Sequence, residues 1–202
     1  MGYASWLTPS KLSGSGNDTV NVSANANNTG RNARTTNITF SAVGVEEVVR
    51  TVSQTGKPEF GTFNNSSASS DKAGGTLTLS GTSNSSALTF SKGTDNIGLT
   101  IPSSYTAAGI TTDNGADITG DPGATQEYAW SIQFTIPANT GVDPLTCQIV
   151  VTDDAGHTSI CTITLAAGDA TLSVTPASVE IPWDGSTSAS FTVTSNTNWT
   201  IA

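Results

Sequence analysis

The chain has 202 residues, with 16 Asp and Glu against 7 Lys and Arg and a formal net charge of -9. Hydrophobic residues make up 35% and charged residues 11%, where an ordinary globular chain has roughly 45–50% and about 25%. An acidic balance without a basic run excludes nucleic acid and anionic membrane surfaces as partners, no stretch approaches the roughly 20 apolar residues of a membrane span, and one His with two Cys leaves little catalytic or metal-binding stock.

Thr alternates with Val, Ile, Leu and Phe along the chain, as in half-buried strands. In chain order the alternation predicts strands over 20–24, 36–40, 76–79, 88–90, 131–136, 147–151, 160–165, 172–174 and 190–193. Turn residues separate them, among them Ser13-Gly14-Ser15-Gly16, Asn28-Thr29-Gly30, Asp154-Ala155-Gly156 and Asp184-Gly185. No window of helical length carries an i, i+3, i+4 apolar stripe. Short antiparallel strands with one apolar face need a second sheet over that face, so the chain is expected to be all-β and built of immunoglobulin-like β-sandwiches.

Shifted by about 111 residues, the sequence repeats. Thr29-Gly30 meets Thr140-Gly141, Ile38 meets Ile149 and Phe40 meets Val151; upstream, Val20, Val22 and Ala24 fall on Ile132, Phe134 and Ile136, and Thr82-Ser83-Asn84 lies under Thr194-Ser195-Asn196. The chain is therefore expected to hold the second half of one unit (1–57), a complete unit (58–168) and the first half of another (169–202). The complete unit, at about 110 residues, is large enough to fold alone. Within it, Lys92 to Gln126, rich in Gly, Asp and Thr, is expected to be a long surface loop. Neither terminal half can cover its own apolar face. The tail of one chain is expected to complete the head of the next by strand donation, giving a head-to-tail fibre or virion component, unless an even strand count lets one chain close on itself.

Ser5-Trp6-Leu7-Thr8-Pro9, Ser13-Gly14-Ser15-Gly16-Asn17, Arg34 and Val52-Ser53-Gln54-Thr55-Gly56 resemble the second half of a BACON domain, an immunoglobulin-like module of bacterial proteins. Leu172-Ser173-Val174-Thr175-Pro176 through Asn198-Trp199-Thr200-Ile201 resemble its first half. The resemblance implies a bacterial secreted, cell-surface or phage protein, hence an extracellular location, and a non-catalytic module with weak glycan or mucin adhesion. The opening Met1-Gly2-Tyr3-Ala4 has no signal-peptide pattern.

His157, after Asp153-Asp154-Ala155-Gly156, is expected to be a solvated turn residue rather than part of a Ser-His-Asp set. The carboxylates cluster in turns, with none placed beside an aromatic cleft, so no enzyme and no cofactor are expected. Asp113, Asp117 and Asp121 offer oxygen ligands for calcium in a flexible acidic loop. Cys147 and Cys161 flank the turn at 153–156 symmetrically and share an apolar face, which in the simplest register makes them opposed neighbours and candidates for a disulfide, or else two buried thiols. Trp6, Trp130 and Trp199 lie in or beside alternating strands and are expected in cores; Trp183, between Ile181-Pro182 and Asp184-Gly185, is the candidate exposed carbohydrate platform.

Overall fold

The computed structural model describes residues 2–202. Four strands precede the central unit: β1 (Leu7–Pro9), β2 (Val22–Ala24), β3 (Arg34–Phe40) and β4 (Val48–Gln54). Nine build it: β5 (Gly61–Phe63), β6 (Ser67–Ser70), β7 (Gly75–Ser83), β8 (Leu88–Asp95), β9 (Ser104–Ala107), β10 (Ile110–Asp113), β11 (Tyr128–Ile136), β12 (Leu145–Asp153) and β13 (Thr158–Leu165). Two follow, β14 (Leu172–Thr175) and β15 (Thr192–Ser195).

The central strands form two sheets, one ordered β10-β9-β11-β7-β5 and one ordered β6-β13-β12-β8. This is the two-sheet arrangement of an immunoglobulin-like sandwich. Alternation makes the core: Trp130, Ile132, Phe134 and Ile136 of β11 are buried, as are Cys147, Ile149 and Val151 of β12 and Cys161, Ile163 and Leu165 of β13. Phe63 and Phe90 each meet the Trp130 ring edge-on at 5.1 Å between centroids. Gly81 pairs directly with Trp130, and a Cβ there would fall 2.2 Å from the indole and 1.9 Å from the Thr62 carbonyl oxygen. Only glycine leaves room for the ring to lie across the strand.

The span 92–126 is not the surface loop its composition suggests. It supplies β9, β10 and a short 3-10 turn at Pro122–Ala124, and it buries Ile97, Leu99, Tyr105, Ala107 and Ile118 in the core. Strands of four residues show too few alternations to stand out among glycines.

The terminal strands form three two-stranded antiparallel sheets, β1-β2, β3-β4 and β14-β15. Two of the three, β3-β4 and β14-β15, repeat registers of the central sandwich. Arg34↔Gln54 through Phe40↔Val48 in β3-β4 corresponds, 111 residues on, to Leu145↔Leu165 through Val151↔Ser159 in β12-β13. Likewise Leu172↔Ser195 in β14-β15 corresponds to Gly61↔Ser83 in β5-β7. The chain enters the central sandwich at Gly61, packed near Asp153, and leaves it at Leu165, opposite Leu145. These points lie at the two ends of β12, about 30 Å apart for a nine-residue strand.

Candidate functional site

Two joints flank the central sandwich, one at each end. At the first, Arg31 reaches from the N-terminal segment onto the 3-10 turn. Its guanidinium donates to Asp121 Oδ1 at 2.6 Å and to the Asn84 carbonyl at 3.2 Å, and it also pairs with Asp121 Oδ2. Pairing with Asp121 pushes the Arg31 pKa up against the opposing effect of burial. Asp121 sits in the left-handed region, φ 42 and ψ 63, a conformation Asp tolerates better than most residues. Backbone bonds reinforce the contact: Arg31 N–H to Gly123 O at 2.9 Å and Asn32 N–H to Ala124 O at 3.0 Å. Gly30 closes it, since a Cβ there would fall 2.3 Å from the Thr125 backbone. Lys57 pairs with Glu127 alongside.

The linkers are fixed by a clasp that recurs along the chain. Asn84 is fully buried; its Oδ1 accepts from Phe60 N–H at 3.0 Å and its Nδ2 donates to Lys57 O and Pro58 O, each at 3.2 Å. At the second joint Asn196 does the same: Oδ1 accepts from Thr171 N–H at 2.8 Å, and Nδ2 donates to Asp169 O at 2.8 Å and Thr140 O at 3.0 Å. A second asparagine pair follows suit, Asn28 donating to Asn32 O and Thr55 O and Asn139 to Asp143 O and Ala166 O. The joints differ in the burial of the asparagine, Asn84 being buried and Asn196 exposed, and in their ion pairs. Val142 occupies the repeat position of Arg31, and the ion pair at the second joint is Lys72 with the exposed Asp169. The sequence repeat pointed to Asn84 and Asn196, but their role depends on linker carbonyls that no pattern of side chains announces.

Among the residues singled out from sequence, Trp183 is 99% exposed. It stands on a turn closed by Gly185 N–H to Pro182 O at 2.9 Å, with Asp184 accepting from Ser186 N–H at 3.0 Å. Trp130 is in the core, whereas Trp199 is half exposed, because β15 has no facing sheet in this chain. Trp6 is half-buried, with Arg34 4.8 Å from its ring centre. His157 takes up Asp153 as a cap: Nδ1 lies 2.9 Å from Oδ2 and the backbone N–H donates to Oδ1 at 2.7 Å.

Two sequence expectations need correction. Asp113, Asp117 and Asp121 do not converge into a calcium site, because Asp121 is held by Arg31, and among the described residues no group of three His, Cys, Asp or Glu is placed to hold a metal. Cys147 and Cys161 are free and buried on one face, but not opposed. Cys147 pairs with Ile163, and Ile149 with Cys161. The hairpin centre is Ala155, since Gly156 adopts φ 88 and makes a three-residue loop. That displaces each thiol's partner by two residues. Diagonal positions lie roughly 7–8 Å apart, too far for an unstrained disulfide. Burial, then the hydrogen bond to Asp95, pushes the Cys147 thiol up to about 12.

Exposed apolar side chains concentrate in the terminal segments: Val22, Phe40, Val48 and Val49 before the central sandwich, Leu172, Val174, Phe191 and Trp199 after it. A groove of about 430 Å³ opens between the β1-β2 and β3-β4 sheets, lined by Tyr3, Leu12, Val20, Ile38, Phe40 and Val49.

Among the described residues the chain is all-β: one two-sheet sandwich, preceded and followed by two-stranded antiparallel sheets. Residues 1–55 match the family model BACON, described as "Putative binding domain, N-terminal". Among solved structures, the chain is similar to the endo-fucoidan hydrolase MfFcnA4_H294Q from glycoside hydrolase family 107, at 15% identity and TM-score 0.30, covering 83% of this chain and 22% of that one. It is also similar to the endo-fucoidan hydrolase MfFcnA9 of the same family, at 15% identity and TM-score 0.30, covering 81% and 26%. The chain thus spans about a quarter of the length of these proteins. No curated protein matches it. No helix among the described residues is long and apolar enough to cross a membrane.

Proposed function

We propose that this chain is a non-catalytic extracellular segment of tandem immunoglobulin-like units that spaces and presents partners, with units at 1–57, 58–168 and 169–202. The observation that carries this reading is the recurring joint: the same asparagine clasps recur about 111 residues apart and bind each linker to the sandwich it adjoins. Linkers held in this way transmit orientation between units, as a spacer must. The BACON match over 1–55 supports a binding module within the array, and Trp183 offers one exposed ring for weak stacking on a glycan or mucin sugar. A glycan and mucin array probed with the wild-type chain and with Trp183→Ala tests the adhesive part. Loss of a specific signal in the variant supports adhesion, and an equally blank array for both leaves spacing as the function. A second reading, head-to-tail assembly as a structural fibre or virion component, is favoured by the exposed apolar faces of the two terminal segments.

A further inference from the structure

The chain runs through the central sandwich from one pole to the other. It enters at Gly61, beside Asp153, and leaves at Leu165, opposite Leu145, so tension between the flanking segments acts along the strand axes. Both junctions are anchored in the sandwich. Asn84, just past β7, donates to Lys57 O and Pro58 O, and Asn139 donates to Ala166 O at 3.0 Å. The strands next to the junctions are β5 and β6 at the entry and β13 at the exit. β6 and β13 lie side by side and parallel, Thr162↔Ser67 through Leu165↔Ser70, whereas every other pairing among the described strands is antiparallel.

β6 is the edge strand of its sheet, with β13 as its one neighbour. β5 has only three residues, and beyond it the load falls on β6. A pull through the entry draws β6 toward the Asp153 pole, and a pull through the exit draws β13 toward the opposite pole, so the two strands are forced past one another along their length. Thr162 N–H donates to Ser66 O at 2.9 Å and Ala166 N–H to Ser70 O at 3.0 Å, closing the ladder at its two ends. With the two-residue period of a strand, the backbone groups of Ser66, Ala68 and Ser70 face β13 and those of Ser67 and Ser69 face outward. Sliding therefore stretches about five bonds together, where a pair pulled from adjacent ends opens one bond after another. Behind the ladder, Ile163 and Leu165 are fully buried and Ala68 packs on the same core, so the strands cannot slide without dragging these side chains across close-packed neighbours.

We infer that the central unit bears tension along the chain, with the parallel β6-β13 ladder as the element that resists it. This rests on the spacer reading above, since a spacer between attached partners is pulled from both sides, and it adds a resistance to force that fixed joints alone do not supply.

Single-molecule pulling on the full chain reads the result. Handles at the two ends of the chain load the ladder in shear. Handles on Asp71→Cys and Ala166→Cys, exposed positions at one pole, load the same strands from adjacent ends and unzip them; the native thiols are buried and stay out of the coupling. Rupture of the central unit is recognised in either geometry by a length gain of roughly 350 Å, at about 3.6 Å for each residue released. The end-to-end pull is expected to need several times the force of the same-pole pull. Ser70→Pro, which removes an N–H aimed at β13, is expected to lower the end-to-end force by about a fifth or more, one bond in about five. Ser69→Pro, whose N–H faces outward on an edge strand, where proline is tolerated, is expected to leave it unchanged. The comparison of the two pulling directions needs no proline and decides alone if Ser70→Pro does not fold. Equal forces in the two directions, or equal losses in the two proline variants, would overturn the inference. Either result leaves the spacer reading standing, since that is judged on the orientation of neighbouring units and not on their strength.

Discussion

Replacing Asn84 by alanine removes the side chain that pins the first linker. Three hydrogen bonds go, one accepted from Phe60 N–H and two donated to Lys57 O and Pro58 O. The site is fully buried, so water cannot take over the freed linker groups without opening the joint. At roughly 1 kcal/mol net for each buried hydrogen bond, the loss is about 3 kcal/mol. Asn196 also makes three bonds, with Thr171 N–H, Asp169 O and Thr140 O, but at an exposed position, where water substitutes, and its replacement by alanine should cost less than about 1 kcal/mol. Differential scanning calorimetry of the full chain separates the cases. With a shift of roughly 4 °C per kcal/mol for a domain somewhat above 100 residues, Asn84→Ala should lower the main transition by about 12 °C and Asn196→Ala should leave it nearly unmoved. Equal effects from the two variants, or a larger one from Asn196, would refute the reasoning from burial.

The substitution Asn84→Asp is not neutral either: a carboxylate at this position would face two carbonyl oxygens, so the variant should be less stable than Asn84→Ala at neutral pH and regain stability as the solution is acidified, read by urea denaturation at several pH values. Burial pushes the Asp95 carboxyl up, but hydrogen bonds from Lys92, Gly98, Cys147 and Leu99 together outweigh it and pull the group down to about 2. Its contribution should be complete above the ordinary carboxylate range and lost as pH falls from about 4 toward 2, on the order of 1 kcal/mol once solvent screening is allowed for; Asp95→Asn should flatten that part of the stability curve. Both thiols should resist alkylation in the native protein and react together after unfolding, with no disulfide seen in a non-reducing mass measurement. Residues 58–168 produced alone should unfold in one cooperative transition, and a broad, non-cooperative melt would contradict the independence of that unit.

The strand pattern was legible where apolar and polar side chains alternate, from runs as short as Leu88 to Phe90 to ones as long as Ser131 to Ile136 and Ile160 to Leu165. It was illegible in β9 and β10, four residues each among turn glycines, although Tyr105 and Ala107 are as buried as any core residue. The repeat of about 111 residues foreshadowed the shared registers of β3-β4 and β12-β13, since a strand register is set by hydrophobic pattern and turn length together. The cysteine register failed for the same reason. A single left-handed glycine at 156 moved the hairpin centre by one residue and the partners by two. The first joint could not be read at all, because Arg31 meets Asp121 across ninety residues of sequence, and the close approach of Gly30 to the Thr125 backbone is a property of folded surfaces.

The central claim, that neighbouring units are held in fixed orientation through their joints, is tested most directly by electron-electron spin resonance distances across the first joint. Labels on Ser41→Cys and Ser103→Cys, both exposed and placed on either side of it, avoid the buried native thiols, and the protein is diluted with unlabelled chain so that only distances within one chain are read. A single narrow distribution that broadens in Arg31→Ala and in Gly30→Ala is the expected result. A broad distribution already present in the wild type, unchanged by either substitution, would contradict it.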